Sequence, residues 1–163
     1  EIPARWDRIA DSRMCTVLAA ENGVSVATVE HLMAAFYGMS IDNALVELNG
    51  PEVPAMDGSA APFIFLMECA GVTEQSVPRK HLRILKPVVY SNGTKEVTLA
   101  PAKSGLKLNF DIDFAAPAVG QQSCSFDIDR DVFKAEISKA RTFGFFVRRD
   151  RSPRSRFGAR RQP

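Results

Sequence analysis

Glu30 and His31 are the residues of this sequence whose types and spacing most directly indicate chemistry. They stand side by side in the segment 28–35, TVEHLMAA, and together offer a proton acceptor and a metal ligand within one helical turn. Each also has a purely structural interpretation. Glu30 is then a first-turn glutamate favoured by the helix dipole, and His31 a lone structural histidine. The other histidine, His81, lies in a basic segment where we expect it to be solvated.

Asp57 and Ser59 form a second polar pair that could be read as a carboxylate and a nucleophile. The sequence has no Gly-x-Ser-x-Gly elbow to present such a serine. We therefore predict turn and cap chemistry, in which both side chains bond nearby backbone amides.

The elements that must position these residues fall into two successive groups of strands followed by helices. The first group is predicted as strands 13–20 and 24–27 around the turn 21–23, a helix capped by Thr28 and stopped by Gly38, strand 41–48, and helix 60–70 capped by Ser59. After a polar connection at 72–80, the second group is predicted as strands 82–90, 96–100, 106–114 and 123–128, and a helix from 132 to about 139 capped by Asp131. The Asn-Gly turn signal at 91–94 predicts that the first two of these strands form a hairpin. The apolar face of the first helix is predicted to comprise Val29, Leu32, Met33 and Phe36.

Composition indicates a soluble globular protein. Of 163 residues, 45% are hydrophobic and 25% charged, and the longest apolar run, 63–67, is too short to cross a bilayer. Residues 1–6 contain no apolar signal-peptide core, so we expect a cytoplasmic location without stable membrane insertion. The three cysteines have no ligand-like spacing, and we expect buried free thiols rather than disulfides or a cysteine zinc site.

The positive charge is concentrated at the C-terminal end. Residues 148–163 hold seven arginines and one aspartate, so the remaining residues carry a net negative charge. This segment could be a solvated tail, a nucleic-acid-binding arm or a frameshifted end. Because the segment has a single aromatic residue, Phe157, and no repeated alternation of aromatic residues with arginines, we predict a disordered or aberrant tail and no nucleic-acid partner.

Five motifs in fixed order give the sequence a specific resemblance. They are TVEHLMAA at 28–35, IDNALVE at 41–47, GPEVP at 50–54, MDGSAAPF at 56–63 and SKARTFGF at 138–145. Over about residues 1–147 the chain closely resembles the bacterial UDP-3-O-acyl-N-acetylglucosamine deacetylases, the zinc amidases of lipid A biosynthesis. The resemblance implies an α+β fold of two similar two-layer α/β sandwich domains with the active site between them. The expected divisions are 1–77, a first domain that lacks its N-terminal stretch, and 78–147, the start of an incomplete second domain, followed by the tail 148–163.

The resemblance also implies roles for individual residues. His31 matches a zinc ligand, and Glu30 matches the catalytic carboxylate that takes a proton from the zinc-bound water. Thr142 matches a catalytic threonine that stabilises the oxyanion, while Phe143 and Phe145 match substrate-binding positions. The structural alternative for these last three residues is a polar–aromatic segment that simply covers the core.

The remaining family ligands, a histidine and an aspartate, and a general-acid histidine have no matching positions in this chain. We therefore expect a fragment that binds Zn²⁺ weakly and is inactive alone. The expected partner is a small-molecule substrate, a UDP-linked acylated amino sugar, and the expected state is a monomer. The alternative function is a truncated, non-catalytic copy that binds a ligand or partner without turnover.

Overall fold

The computed structural model describes residues 1–144, and its helices and antiparallel strands confirm the predicted α+β class. Phe145 and the tail 148–163 lie outside the described residues. Among the described residues no helix is both long enough and apolar enough to cross a membrane.

A small antiparallel sheet precedes the first helix. A 3₁₀ turn, Trp6–Arg8, leads into β1 (Ile9–Asp11), and β2 (Val17–Ala19) pairs with both β1 and β3 (Ser25–Val26). The predicted strands 13–20 and 24–27 are therefore present but shorter. The predicted turn between them is closed by hydrogen bonds between Ala20 and both Gly23 and Val24.

Helix α1 (Glu30–Gly38) buries a different face from the one predicted. Val29, just before it, is buried and Leu32 packs against the core, as expected, but Met33 is 38% exposed. The buried positions within the helix are Ala35 and Gly38. At Gly38 the Phe133 ring approaches the helix so closely that it leaves no room for a Cβ.

The predicted Thr28 cap is wrong. Val29 occupies the N-cap position without a side-chain cap bond, and Thr28 adopts a positive φ of 59°. The Thr28 hydroxyl instead bonds Glu52, which lies 24 residues further along the chain.

The predicted strand 41–48 is also wrong, because this segment forms no strand ladder. Leu45, for example, is 76% exposed. A strand is defined by backbone bonds to a neighbour, and within residues 1–144 no strand pairs with this segment. One parallel bridge, Ala27 to Glu52, follows it.

Helix α2 (Ala61–Ala70) begins and ends close to the predicted bounds. Ser59 accepts a hydrogen bond from the Ala61 N–H at 3.3 Å, which agrees with the predicted capping contribution, although Ala60 is the N-cap residue. Gly71 ends the helix with a φ of 79°. Phe63 and Ile64 face the core.

Two antiparallel hairpins follow. Strands β4 (Val88–Asn92) and β5 (Lys95–Leu99) are joined by the predicted Asn-Gly turn, and β6 (Leu106–Asp113) pairs along its whole length with β7 (Gln121–Ile128). Neither hairpin contributes a fully buried residue. His81, before β4, is exposed as predicted.

The last helix docks onto the first two. Helix α3 (Arg130–Val132) continues as a π-helical segment, Phe133–Ile137, and its cap is Asp129 rather than the predicted Asp131. The Asp129 carboxylate accepts the Val132 N–H at 2.8 Å, a bond that Asp131 in the first turn does not make. Phe133 enters the core directly against Gly38.

The core of the described residues is small and centred on α1 and α2. It comprises Leu18, Val29, Ala35, Met39, Val53, Ala60, Phe63, Ile64 and Phe133. The expectation of buried thiols is wrong for Cys69 and Cys124, which are exposed, and Cys15 is half-buried. Cys69 falls on the outer face of α2, and Cys124 on a hairpin with no covering layer among the described residues.

Gly38→Ala should destabilise the protein, because the added methyl would lie 2.0 Å from Cδ1 of the buried Phe133 ring. Better helix propensity would contribute about 1 kcal/mol in favour of alanine, but displacing a buried ring costs more, so we expect a net loss of roughly 1–3 kcal/mol. Urea denaturation followed by circular dichroism measures the difference.

Gly50→Ala is the control, since among the described residues no atom beyond its two chain neighbours lies within 4 Å of the added methyl. In a Phe133→Ala background the Gly38→Ala change should become neutral or stabilising. An unchanged cost in that background would contradict the proposed ring contact.

Candidate functional site

The Glu30 carboxylate is held by the backbone of the first sheet. Its Oε2 atom accepts the Thr16 N–H at 2.9 Å, in a partly buried setting, and the Thr16 carbonyl accepts the Val29 N–H at 3.3 Å. Thr16 thus fixes both the start of α1 and its first side chain. No hydrogen bond to Glu30 Oε1 is made within residues 1–144, so one oxygen is anchored and the other is available.

His31 follows on the same helical turn and is half-buried. Its imidazole has no hydrogen-bond partner among the described residues. The neighbours one turn away, Thr28, Ala34 and Ala35, are small, which leaves space beside the ring. Within residues 1–144, a carboxylate with one unbonded oxygen therefore lies next to an imidazole whose nitrogens have no hydrogen-bond partner.

The segment 51–58 runs past the start of α1. Ala27 donates to the Pro51 carbonyl at 2.9 Å and accepts from the Val53 N–H at 3.0 Å, while Thr28 Oγ1 donates to Glu52 Oε1 at 2.6 Å. Val53 is 2% exposed and anchors the segment in the core. These bonds fix the segment against the turn from which α1 begins.

The other end of this segment is shaped by Asp57. Its Oδ1 accepts the Ser59 hydroxyl at 2.7 Å and the Ser59 N–H at 3.1 Å, and Arg141 Nη2 lies 3.4 Å from Oδ2. The Ser59 hydrogen bond, followed by the nearby Arg141 charge, lowers the pKa of Asp57 below its usual value. Asp57 and Ser59 are thus turn-forming residues, as predicted from the sequence.

Thr142 is attached to this turn through its backbone. Its N–H donates to the Gly58 carbonyl at 2.9 Å, and its methyl group is close enough that a Cβ on Gly58 would touch it at 3.4 Å. Gly58 has a φ of 84°, so a larger residue would be strained here in any case. The Thr142 hydroxyl makes no hydrogen bond to another described residue.

Phe143 packs edge-on against Phe114, just beyond β6, with ring centroids 5.6 Å apart and planes inclined by 72°. It is nevertheless 57% exposed and does not belong to the core. More than half of the Phe143 surface is therefore exposed to solvent.

The predicted site residues form two pairs. Glu30 and His31 lie together at the start of α1, and Thr142 and Phe143 lie together after the π-helical segment; no hydrogen bond joins the pairs within residues 1–144. Segment 51–58 links them, because one end bonds Thr28 and the other bonds Thr142.

Sequence reasoning missed Thr16, which bonds Glu30, and Glu52, which bonds Thr28 just before α1. Thr16 acts through its backbone, which leaves no side-chain signal. Glu52 does have a signal in the sequence. It is a charged residue in the segment 51–54, PEVP, whose two prolines limit the available backbone conformations.

A complete metal site does not form within the described residues. No cluster of three or more histidine, cysteine, aspartate or glutamate side chains is arranged there to hold a metal ion. A catalytic zinc site takes three protein ligands, so His31 supplies at most one of them.

Comparison with known proteins gives a consistent result. A family model described as UDP-3-O-acyl N-acetylglycosamine deacetylase matches residues 1–152. Proteins named UDP-3-O-acyl-N-acetylglucosamine deacetylase from Shewanella sp. (strain W3-18-1) and Shewanella oneidensis are each 47% identical over 146 residues, which is 88% of this chain and 47% of theirs. The Shewanella baltica (strain OS155) protein of that name is 46% identical over the same length. The chain spans about half the length of the curated relatives it matches.

The Asp57 turn should weaken in acid. Because the pKa of Asp57 is lower in the folded protein, its contribution is complete above the ordinary value of 3.8 and is lost as pH falls through the folded-state pKa. The gap in melting temperature between the wild type and Asp57→Asn should therefore narrow between about pH 7 and about pH 3. Calorimetry at a series of pH values measures it.

Asp113→Asn is the control, since the Asp113 carboxylate makes no hydrogen bond to another described residue. Its melting curve should stay at a constant offset from the wild type over the same range. A constant offset for Asp57→Asn as well would show that the carboxylate is not coupled to folding through this turn.

Proposed function

Because this chain belongs to the UDP-3-O-acyl N-acetylglycosamine deacetylase family, we propose that its residues serve hydrolysis of the acetamide of a UDP-linked 3-O-acyl N-acetylglucosamine. The products are acetate and a free amine, and the pathway is lipid A biosynthesis. The observation that carries the proposal is the Glu30 carboxylate, anchored by the Thr16 N–H and placed beside His31.

Glu30 is the proposed general base. With Oε2 fixed by a backbone donor, the carboxylate has a defined orientation, and Oε1, which has no partner among the described residues, can accept the proton of the attacking water. The amide bond then breaks with transfer of a proton to the departing amine.

His31 is the proposed zinc ligand of this chain. Zinc at such a site lowers the pKa of water and polarises a carbonyl. The described residues do not form a three-ligand site by themselves, and we propose that the other ligands belong to the part of the relatives that this chain does not match.

Thr142 is the proposed oxyanion donor. Its N–H is bonded to the Gly58 carbonyl, which fixes the position of the backbone that carries the hydroxyl. The hydroxyl itself has no hydrogen-bond partner among the described residues. A fixed donor of this kind stabilises the negative charge of a tetrahedral intermediate. Phe143, with its exposed ring supported by Phe114, is proposed to pack against the substrate, and Phe145 is proposed to act nearby.

The division into domains 1–77 and 78–147, each part of a two-layer sandwich, is part of the same proposal. Support comes from the stretch 71–87, which has neither helix nor strand and separates α2 from β4. The cytoplasmic location and the monomeric state stay predictions, to be checked by cell fractionation and sedimentation.

The 163-residue chain alone should not release acetate, whereas its residues 1–144 fused to all the parts of the Shewanella oneidensis relative that this chain does not match should do so and bind zinc. Acetate release from the UDP-sugar and zinc content by mass spectrometry are the measurements. Binding of the UDP-sugar by the chain, together with an inactive fusion, would instead favour a non-catalytic, ligand-binding copy.

In that fusion, Glu30→Gln should lower kcat by roughly 10²–10⁴-fold with zinc retained, because the amide cannot accept a proton. The matched control is Glu47→Gln, which alters an exposed glutamate. His31→Ala should reduce bound zinc, whereas His81→Ala should leave it unchanged. Equal activity in Glu30→Gln and the parent fusion would refute the base assignment.

A further inference from the structure

Thr28 has a conformation that its side chain disfavours. Its φ of 59° lies in the left-handed region, where a β-branched residue is a genuine outlier. Glycine adopts this conformation without strain and is the usual solution for such a turn. The strained residue lies two positions before Glu30, at the bend from which α1 begins.

The strain is balanced by contacts with a distant segment. Thr28 Oγ1 donates to Glu52 Oε1 at 2.6 Å, a charge-assisted bond, and the Ala27–Glu52 bridge holds the two backbones together. A glycine at position 28 would relieve the strain but could not form the side-chain bond. The hydroxyl of Thr28 therefore provides a hydrogen bond to Glu52 that glycine, the less strained residue, cannot provide.

Stability alone is a weak explanation for this pair. The Thr28–Glu52 bond joins a half-buried threonine to an exposed glutamate, and water competes for the carboxylate, which reduces the net contribution of this charge-assisted bond to folding. Strained backbone that is held in place by surrounding contacts is found preferentially at functional sites. What the bond fixes is the direction in which the chain enters α1.

That direction decides where the Glu30 carboxylate lies. Immediately after the bend, the Val29 N–H and Glu30 Oε2 both bond Thr16, so a rotation at Thr28 would move both groups away from Thr16. The hydrogen bond between the Thr16 N–H and Glu30 Oε2 therefore depends on the backbone conformation at Thr28. His31, the next residue, moves with it.

We propose that Thr28 and Glu52 are positioning residues, which together hold the bend before α1 so that Glu30 and His31 are presented in a fixed orientation. The geometric part of this inference is independent of the reaction; its catalytic consequence rests on the proposed function. No contact of either residue with substrate is required.

Thr28→Gly separates positioning from stability. It relieves strain, so the melting temperature should be unchanged or higher, but the bend loses its restraint. The Thr16 amide proton resonance should then shift towards its position in Glu30→Ala, and its hydrogen exchange should accelerate by about tenfold or more. Both are measured by NMR on the 163-residue chain without metal or substrate.

Two further variants test the hydroxyl and its acceptor. Thr28→Ser keeps the donor and should restore the wild-type Thr16 resonance, whereas Glu52→Ala removes the acceptor and should reproduce the Thr28→Gly shift. Ser125→Ala, which removes a similar exposed bond to Asn109 on the second hairpin, should leave Thr16 unaffected. An unperturbed Thr16 amide in Thr28→Gly and Glu52→Ala would overturn the inference.

In the active fusion, Thr28→Gly should lower kcat by about 10–100-fold with KM nearly unchanged, as expected when the support of a catalytic group is lost. A purely structural role would give wild-type kcat for the folded fraction, and this result would overturn the catalytic part. The two proposals fail separately. An inactive parent fusion with a responsive Thr16 amide refutes only the proposed function, and an active fusion with an unresponsive amide refutes only the positioning role.

Discussion

The carbonyl oxygen of Ser138 accepts two hydrogen bonds, from the N–H groups of Ala60 and Ala61, each at 3.0 Å. These donors lie at the start of α2, where a helix has no acceptors of its own. The end of the π-helical segment therefore completes the N-terminus of a helix that lies more than 70 residues earlier in the chain. Ser138 is almost fully buried, so leaving these groups unpaired would be costly.

Both parts of the proposed site depend on this junction. Phe133 enters the core against Gly38, which fixes the docked segment relative to α1, and the chain then leaves Ser138 towards Thr142. Since the Thr142 N–H meets Gly58 just before α2, the two bonds at Ser138 and the one at Thr142 form a short ladder between distant segments. Among the described residues, the threonine hydroxyl is placed by these backbone contacts and makes no side-chain hydrogen bond.

Local sequence signals predicted the parts of the fold that are decided locally. The Asn92-Gly93 turn, the end of α2 at Gly71 and the Asp57–Ser59 turn each involve residues within a few positions of one another. Predictions that needed knowledge of distant partners were less successful. A threonine before a helix is a reasonable cap, but here the Thr28 hydroxyl bonds Glu52 instead. The segment 41–48 does not form a strand because no strand among the described residues lies beside it to pair with.

The same distinction separates what the sequence reveals of the candidate site from what it conceals. Glu30 and His31 can be recognised because their identities and their adjacency are local properties. The groups that orient them are the Thr16 N–H, 14 residues away, and Glu52, which bonds Thr28 across 24 residues. A backbone N–H is present whatever the side chain, so the sequence does not mark the one that acts as a donor. A bond between residues on either side of a loop has no fixed sequence spacing by which it could be recognised. The motif thus identifies the chemical groups, whereas their orientation is a property of the folded chain alone.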